Sequence, residues 1–224
     1  MSSSIQGALF DCDGTIIDSL GVWRGLEDIL SQEAHIVVDP SLRTRFATLT
    51  VGEIAVYFHE KFGLGKSVDD VQRLIDEYML DFYRNKATLL PGVVDFLESC
   101  VKASIRMSVV SSSKPAYLNA GLSHTGILGY FDAVVSVDDV GKSKREPDVY
   151  DYACSLLKTP RPLTWGFEDS LYALATLMKA GYPTVAIFDE SEGISFEQLQ
   201  ERSTIAVRSF ADLSIEMLKG PSSL

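Results

Sequence analysis

The sequence predicts an α/β protein: a parallel sheet flanked by helices, interrupted once by an all-helical insertion. Three observations predict it. Six short runs rich in Val, Ile and Ala recur along the chain, and they lack the polar–apolar alternation of half-exposed strands. Helical patterns separate most of them, and strand–helix–strand repetition is how a parallel sheet covered on both faces reads. One long stretch near the N-terminus carries helical periodicity alone.

The first strand candidate is residues 5–10. The insertion follows, over residues 18–87. Trp23, Leu26 and Leu30 fall on one helix face, and Thr50 and Glu53 have capping-box spacing ahead of Ile54, Phe58 and Phe62. Val68, Val71, Leu74, Ile75, Tyr78, Met79 and Phe82 form a stripe of helical period, so these faces are expected to make the core of a small bundle. Hinges are expected near residues 17–20 and 88–92, which divides the chain into a core of residues 1–17 and 88–224 and a cap of residues 18–87. Helices are then expected over 91–102, 115–124, 147–157 and 170–180, the last ending at Gly181. Strands are expected over 105–110, 133–137, 164–167, 184–188 and 204–207.

Composition narrows the function. The 224 residues are 46% hydrophobic and 23% charged, with 20 Lys+Arg against 31 Asp+Glu, a net charge of −11. Such a surface repels nucleic acid and anionic membrane, whose binding rests on basic residues. No apolar stretch approaches the ~18 residues of a membrane span, and the N-terminus lacks the pattern of a signal peptide. Cys12, Cys100 and Cys154 are too widely spaced for a metal site, so a reducing, cytoplasmic compartment is expected.

Chemistry in such sheets gathers beyond the C-terminal ends of the strands. The first strand runs into Asp11-Cys12-Asp13-Gly14-Thr15. Asp11 suits a nucleophile for phosphoryl transfer, and Asp13 a general acid/base. Gly14 allows a sharp turn, and the Thr15 hydroxyl is expected to brace it or to meet a phosphate oxygen. A plain Asx-type turn is the competing reading. The second strand leads to Ser111-Ser112-Ser113-Lys114 before Pro115: either an anion site at a helix start or a Ser-rich loop with Ser113 as N-cap. After the third strand stand Lys142, Lys144 and Arg145, which either neutralise a phosphate or lie in a solvated loop. After the fourth, Glu168-Asp169 suit Mg²⁺, unless Asp169 or Ser170 only caps a helix. Together the four strand ends hold a nucleophile, hydroxyls, a cation and metal ligands, the inventory for phosphoryl transfer through an aspartyl-phosphate.

On these residues the chain resembles the haloacid dehalogenase superfamily over nearly its whole length. Asp11-Cys12-Asp13-Gly14-Thr15 matches the first family motif, Ser111 the second and Glu168-Asp169 the fourth. Lys144, ahead of Pro147-Asp148, matches the third, although Arg145 stands where members commonly have Pro, with Lys142 as second candidate. Ala173 replaces a glycine common after the fourth motif. The resemblance implies a Rossmann-like core, a C1-type helical cap and a phosphoenzyme formed on Asp11. Asp13 would protonate the leaving alcohol and then activate water. Mg²⁺ would be held by the Asp11 carboxylate, the Asp13 main-chain carbonyl and Asp169, with Glu168 in or near that set. Ser111, Ser112, Thr15 and Lys144 would meet the phosphoryl group, and Lys144 is expected to keep Asp11 ionised.

Among the family's chemistries, Asp13 argues against a dehalogenase. Sugar phosphomutases usually carry a histidine where Trp23 stands and an arginine near Val51; neither is present, though Arg43 and Arg45 lie close in sequence. A phosphatase acting on a small phosphorylated metabolite is therefore expected, with a phosphomutase and a non-catalytic phosphate-binding protein as alternatives. Trp23 and Thr50 are the candidates for substrate choice, Trp23 competing with a place in the cap core. A monomer or weak homodimer is expected.

Overall fold

The computed structural model describes residues 5–37, 49–190 and 193–219. Six parallel strands form one sheet: β1 (Gly7–Phe10), β2 (Arg106–Ser111), β3 (Ala133–Ser136), β4 (Thr164–Glu168), β5 (Thr184–Ile187) and β6 (Ile205–Val207), in the order β3-β2-β1-β4-β5-β6. The chain builds outward from β1 to one edge, then returns to the other side of β1 at β4. Strand order reverses there, and a crevice opens beyond the C-terminal ends of β1 and β4.

Each predicted strand is present, with both ends within two residues of those expected. The main shift is at β2, which runs through Ser111 and pairs it with Ser136. β1 and β4 are buried on both faces, as their unbroken apolar runs require. Phe10 and Phe167, paired across the two strands, stack with ring centroids 4.4 Å apart, and Phe96 and Phe210 pack around them.

The insertion contributes α1 (Leu20–Glu33), α2 (Val51–Phe62) and α3 (Val68–Asn85). The Thr50–Glu53 capping box forms as its spacing predicts: Glu53 N–H donates to Thr50 Oγ1 at 3.2 Å and Thr50 N–H to Glu53 Oε2 at 2.7 Å. On α3 the buried stripe is Val71, Ile75, Met79 and Tyr83, so it extends one position beyond the expected Phe82, which is half-buried. The two connections to the sheet lie side by side: Asp18 N–H donates to Thr88 O at 2.9 Å, and Leu90 N–H to Ile16 O at 3.1 Å.

Outside the insertion, α4 (Val93–Lys102), α5 (Pro115–His124), α6 (Asp148–Leu157), α7 (Leu171–Ala180) and the short α8 (Phe196–Glu201) accompany the strands. One apolar core runs without a break from Phe10 and Phe167 through Ile17 and Tyr117 to Leu26, Phe58 and Ile75. The insertion is thus docked on the sheet-bearing part. No helix among the described residues is long and apolar enough to cross a membrane.

Candidate active site

The site begins where β1 stops. Asp11 N–H makes a last rung to Phe167 O at 2.9 Å, and the next turn closes on Cys12 O, which accepts from Ile16 N–H at 3.0 Å and Ile17 N–H at 2.9 Å. Cys12 is fully buried behind this loop. Gly14 has φ +76°, and a Cβ there would lie 2.4 Å from Asp169 Oδ2. The position therefore needs glycine twice, for its backbone and for the close approach of the Asp169 carboxylate just after β4. Gly14→Ala is expected to cost about 1–2 kcal/mol through the left-handed backbone. By displacing Asp169 it should also lower turnover about 10²-fold. Unfolding and turnover measured on one preparation check this, and wild-type turnover in the variant would contradict it.

Lys144 comes from the loop after β3 and is almost wholly buried. Its Nζ lies 2.5 Å from Asp11 Oδ1 and 2.6 Å from Glu168 Oε1. The Tyr150 hydroxyl donates to Glu168 Oε1 at 3.2 Å, and the Ser170 hydroxyl to Glu168 Oε2 at 3.3 Å. Lys142, the second candidate, instead pairs with Asp148 at the surface. Asp11, Glu168 and Asp169 each present a carboxylate oxygen within 4.8 Å of the others, all buried.

Two buried carboxylates share the Lys144 ammonium and so leave surplus negative charge in a place with little water. Burial, reinforced by Glu168 and Asp13 and only partly opposed by Lys144, pushes the Asp11 carboxyl up to about 8. Lys144 is pulled down by burial, but Asp11 and Glu168 more than reverse this, and it is held well above the usual lysine range. Burial thus works against the expectation that Lys144 keeps Asp11 ionised. The hard oxygen donors and surplus negative charge fit Mg²⁺.

Asp13 is ringed by hydroxyls. Ser19 donates to its Oδ1 at 2.7 Å. Tyr83 also donates to Oδ1, while Ser113 donates to Oδ2 at 2.6 Å and Ser111 approaches Oδ2 at 3.4 Å. Burial, and then the adjacent Asp13, push the Tyr83 phenol well above its ordinary value, so it keeps its proton and donates. Ser113 is not the N-cap of α5; Lys114 holds that position without a side-chain bond. Ser170 likewise makes no side-chain cap on α7. The sequence offered Ser113 only as a helix cap or as part of an anion site, and gave no such place to Ser19 or Tyr83. Ser113 carried a signal, its place in the loop after β2, whereas Tyr83 lies in an apolar helix stripe that gives no hint of a polar partner.

Above these groups lies a cleft of about 830 Å³. Asp11, Asp13, Lys144, Glu168, Asp169 and the serines 111–113 line its base, with Ser112 exposed toward it. The helical insertion supplies a mostly apolar roof, including Leu20, Trp23, Val51, Ile54 and Phe58, with Arg24 and Glu27 among them. Trp23 is half-buried and serves both the roof and the apolar core. Two expectations are corrected. Thr15 is fully buried, makes no hydrogen bond and does not line the cleft, because the turn points its side chain inward. Thr50 spends its hydroxyl on the cap of α2, and its neighbours Leu49 and Val51 line the cleft instead. Arg43 and Arg45 lie outside the described residues.

Residues 8–187 match the family described as haloacid dehalogenase-like hydrolase. The chain belongs to this family. Among relatives of the hydrolase, validoxylamine A 7'-phosphate phosphatase of Streptomyces hygroscopicus subsp. limoneus is 28% identical over 174 residues, covering 78% of this chain and 81% of that protein. Among solved structures, CbbY from Rhodobacter sphaeroides in complex with phosphate superposes with a TM-score of 0.79 at 23% identity, covering 94% of this chain and 96% of that one. A putative beta-phosphoglucomutase from Thermotoga maritima gives 0.75 at 18% identity, covering 96% and 99%. At such identities these structures share the fold with the hydrolase.

Proposed function

We propose that this haloacid dehalogenase-like hydrolase is a Mg²⁺-dependent phosphatase that cleaves phosphate monoesters of small metabolites through an aspartyl-phosphate on Asp11. The observation that carries the reading is the buried Lys144, clamped between Asp11 and Glu168 at the base of the roofed cleft, with Asp13 beside it. Residues 1–17 and 88–224 act as the catalytic core and residues 18–87 as the cap. Asp11 attacks phosphorus; Asp13 gives a proton to the departing alcohol, then takes one from the water that frees Asp11. Lys144 and Ser111 hold the phosphoryl oxygens. Asp11, Asp169, the Asp13 main-chain carbonyl and Glu168 are the groups that would hold Mg²⁺, whose charge favours the ionised nucleophile and offsets the charge of the phosphoryl oxygens.

An apolar roof over the base leaves room for a small leaving group and none for a folded protein, and the phosphatase among the relatives supports the reaction class. The three buried cysteines are free, in keeping with a reducing cytoplasm.

The test is phosphate release from a panel of small phosphorylated metabolites, with Mg²⁺ and with EDTA. Release from a few members is expected, falling to background in EDTA and returning when Mg²⁺ is restored. Release that persists in EDTA would remove the metal from the reading. No release from any member, with isomerisation of a sugar phosphate in the presence of a bisphosphate primer, would replace the phosphatase by a mutase.

A further inference from the structure

The cap helix α3 docks along the core helix α5 through a joint built on one face of each. On α3 the face carries Asp76 and, two turns later, Tyr83; on α5 it carries Lys114, Tyr117 and Gly121. Lys114 Nζ lies 2.8 Å from Asp76 Oδ1 and 3.1 Å from Oδ2, and the Tyr117 hydroxyl also donates to Oδ1. The Tyr83 ring stacks on Tyr117 with centroids 5.7 Å apart and planes 11° from parallel. Gly121 leaves space for that ring: a Cβ there would lie 2.8 Å from Tyr83 Cδ1. The side chain is fully buried, so this joint dictates where its hydroxyl ends, and it ends on Asp13 Oδ1. Asp13 belongs to the core and Tyr83 to the cap.

We propose that Tyr83 is a positioning residue for catalysis: the docked cap helix uses its hydroxyl, together with Ser19, to hold Asp13 Oδ1 while Ser113 holds Oδ2, and so fixes the direction of the acid at the base of the cleft. The inference rests on the acid/base role of Asp13 proposed above. In the first half-reaction the Asp13 proton passes to the alcohol oxygen as the oxygen–phosphorus bond breaks and the Asp11–phosphorus bond forms. In the second, Asp13 takes a proton from water as the water oxygen bonds to phosphorus and the Asp11–phosphorus bond breaks. Tyr83 keeps its own proton in both. Its contribution is direction, and an acid held in direction matters in proportion to how badly the leaving group needs a proton.

The experiment uses that proportion. Benzyl phosphate and p-nitrophenyl phosphate are similar in size, but benzyl alkoxide needs protonation to leave and p-nitrophenolate does not. Tyr83→Phe keeps the ring and its stacking and removes only the hydroxyl. It is expected to lower kcat/KM for benzyl phosphate about tenfold, through kcat with KM little changed, and to leave kcat/KM for p-nitrophenyl phosphate within about twofold. Gly121→Ala, which displaces the ring but retains the hydroxyl, is expected to show the same split. Asp13→Asn serves as the control and is expected to show the split more strongly. If Asp13→Asn shows it and the two other variants, folded by thermal unfolding, slow both substrates equally or not at all, Tyr83 is only a packing residue and the inference is overturned. If Asp13→Asn itself shows no split, the acid role of Asp13 falls, and this inference with it.

Discussion

Asp11→Asn is expected to abolish phosphate release, by roughly 10⁴-fold or more, as removal of a covalent nucleophile does. Asparagine fills the same space but its amide does not attack phosphorus, and no label from a phosphorylated substrate should remain on the chain. The fold should survive, because Lys144 keeps a second buried carboxylate partner in Glu168. Its carboxyl is pushed up to about 8 from an unfolded value of 3.8. A group whose folded pKa is raised binds its proton more tightly in the native state. Its contribution to stability is therefore complete below about pH 4 and is lost as pH rises toward 8. Asparagine has no such dependence. In EDTA, the variant's unfolding midpoint should gain on the wild type between pH 5 and pH 8. A gap that stays constant across that range would show that Asp11 is already ionised at its lower end. Turnover above about 1% of wild type would remove Asp11 as nucleophile.

Lys144→Ala is expected to be the most destabilising single change at the site. It leaves Asp11 and Glu168 buried without the ammonium that joins them. Removing one partner of a buried ion pair costs about 3–5 kcal/mol, or a fall of roughly 10 °C in Tm for a chain of this size. Turnover should vanish with it, since the phosphoryl oxygens lose their fixed positive partner. Mg²⁺ should restore part of the lost stability and none of the activity. Thermal unfolding with Mg²⁺ and with EDTA measures both halves, and an unchanged Tm in EDTA would show that Lys144 is not the charge that holds this cluster together.

Much of the fold was legible from local pattern. Unbroken apolar runs marked the strands, because burial on both faces admits no polar alternation, and Thr50 with Glu53 announced a helix start that forms as written. The site was legible in the same degree. Asp11, Asp13, Ser111, Lys144, Glu168 and Asp169 each lie at or beyond the C-terminal end of a strand of a parallel sheet, and the sheet order brings those ends together. Strand ends, turns and caps are decided over a few residues, so a sequence states them directly.

Only the tertiary structure decided which side chains meet. Lys144 reaches Asp11 across 133 residues and Tyr83 reaches Asp13 across 70. Neither separation leaves a periodic trace, because the partners are joined by the docking of whole elements. The same packing buried the Thr15 hydroxyl, drew Ser113 from a helix cap to Asp13, and pushed the Asp11 carboxyl upward against its lysine. The residue types at the site are a property of the sequence. Their charge states and directions are properties of burial, and burial exists only once distant segments have packed.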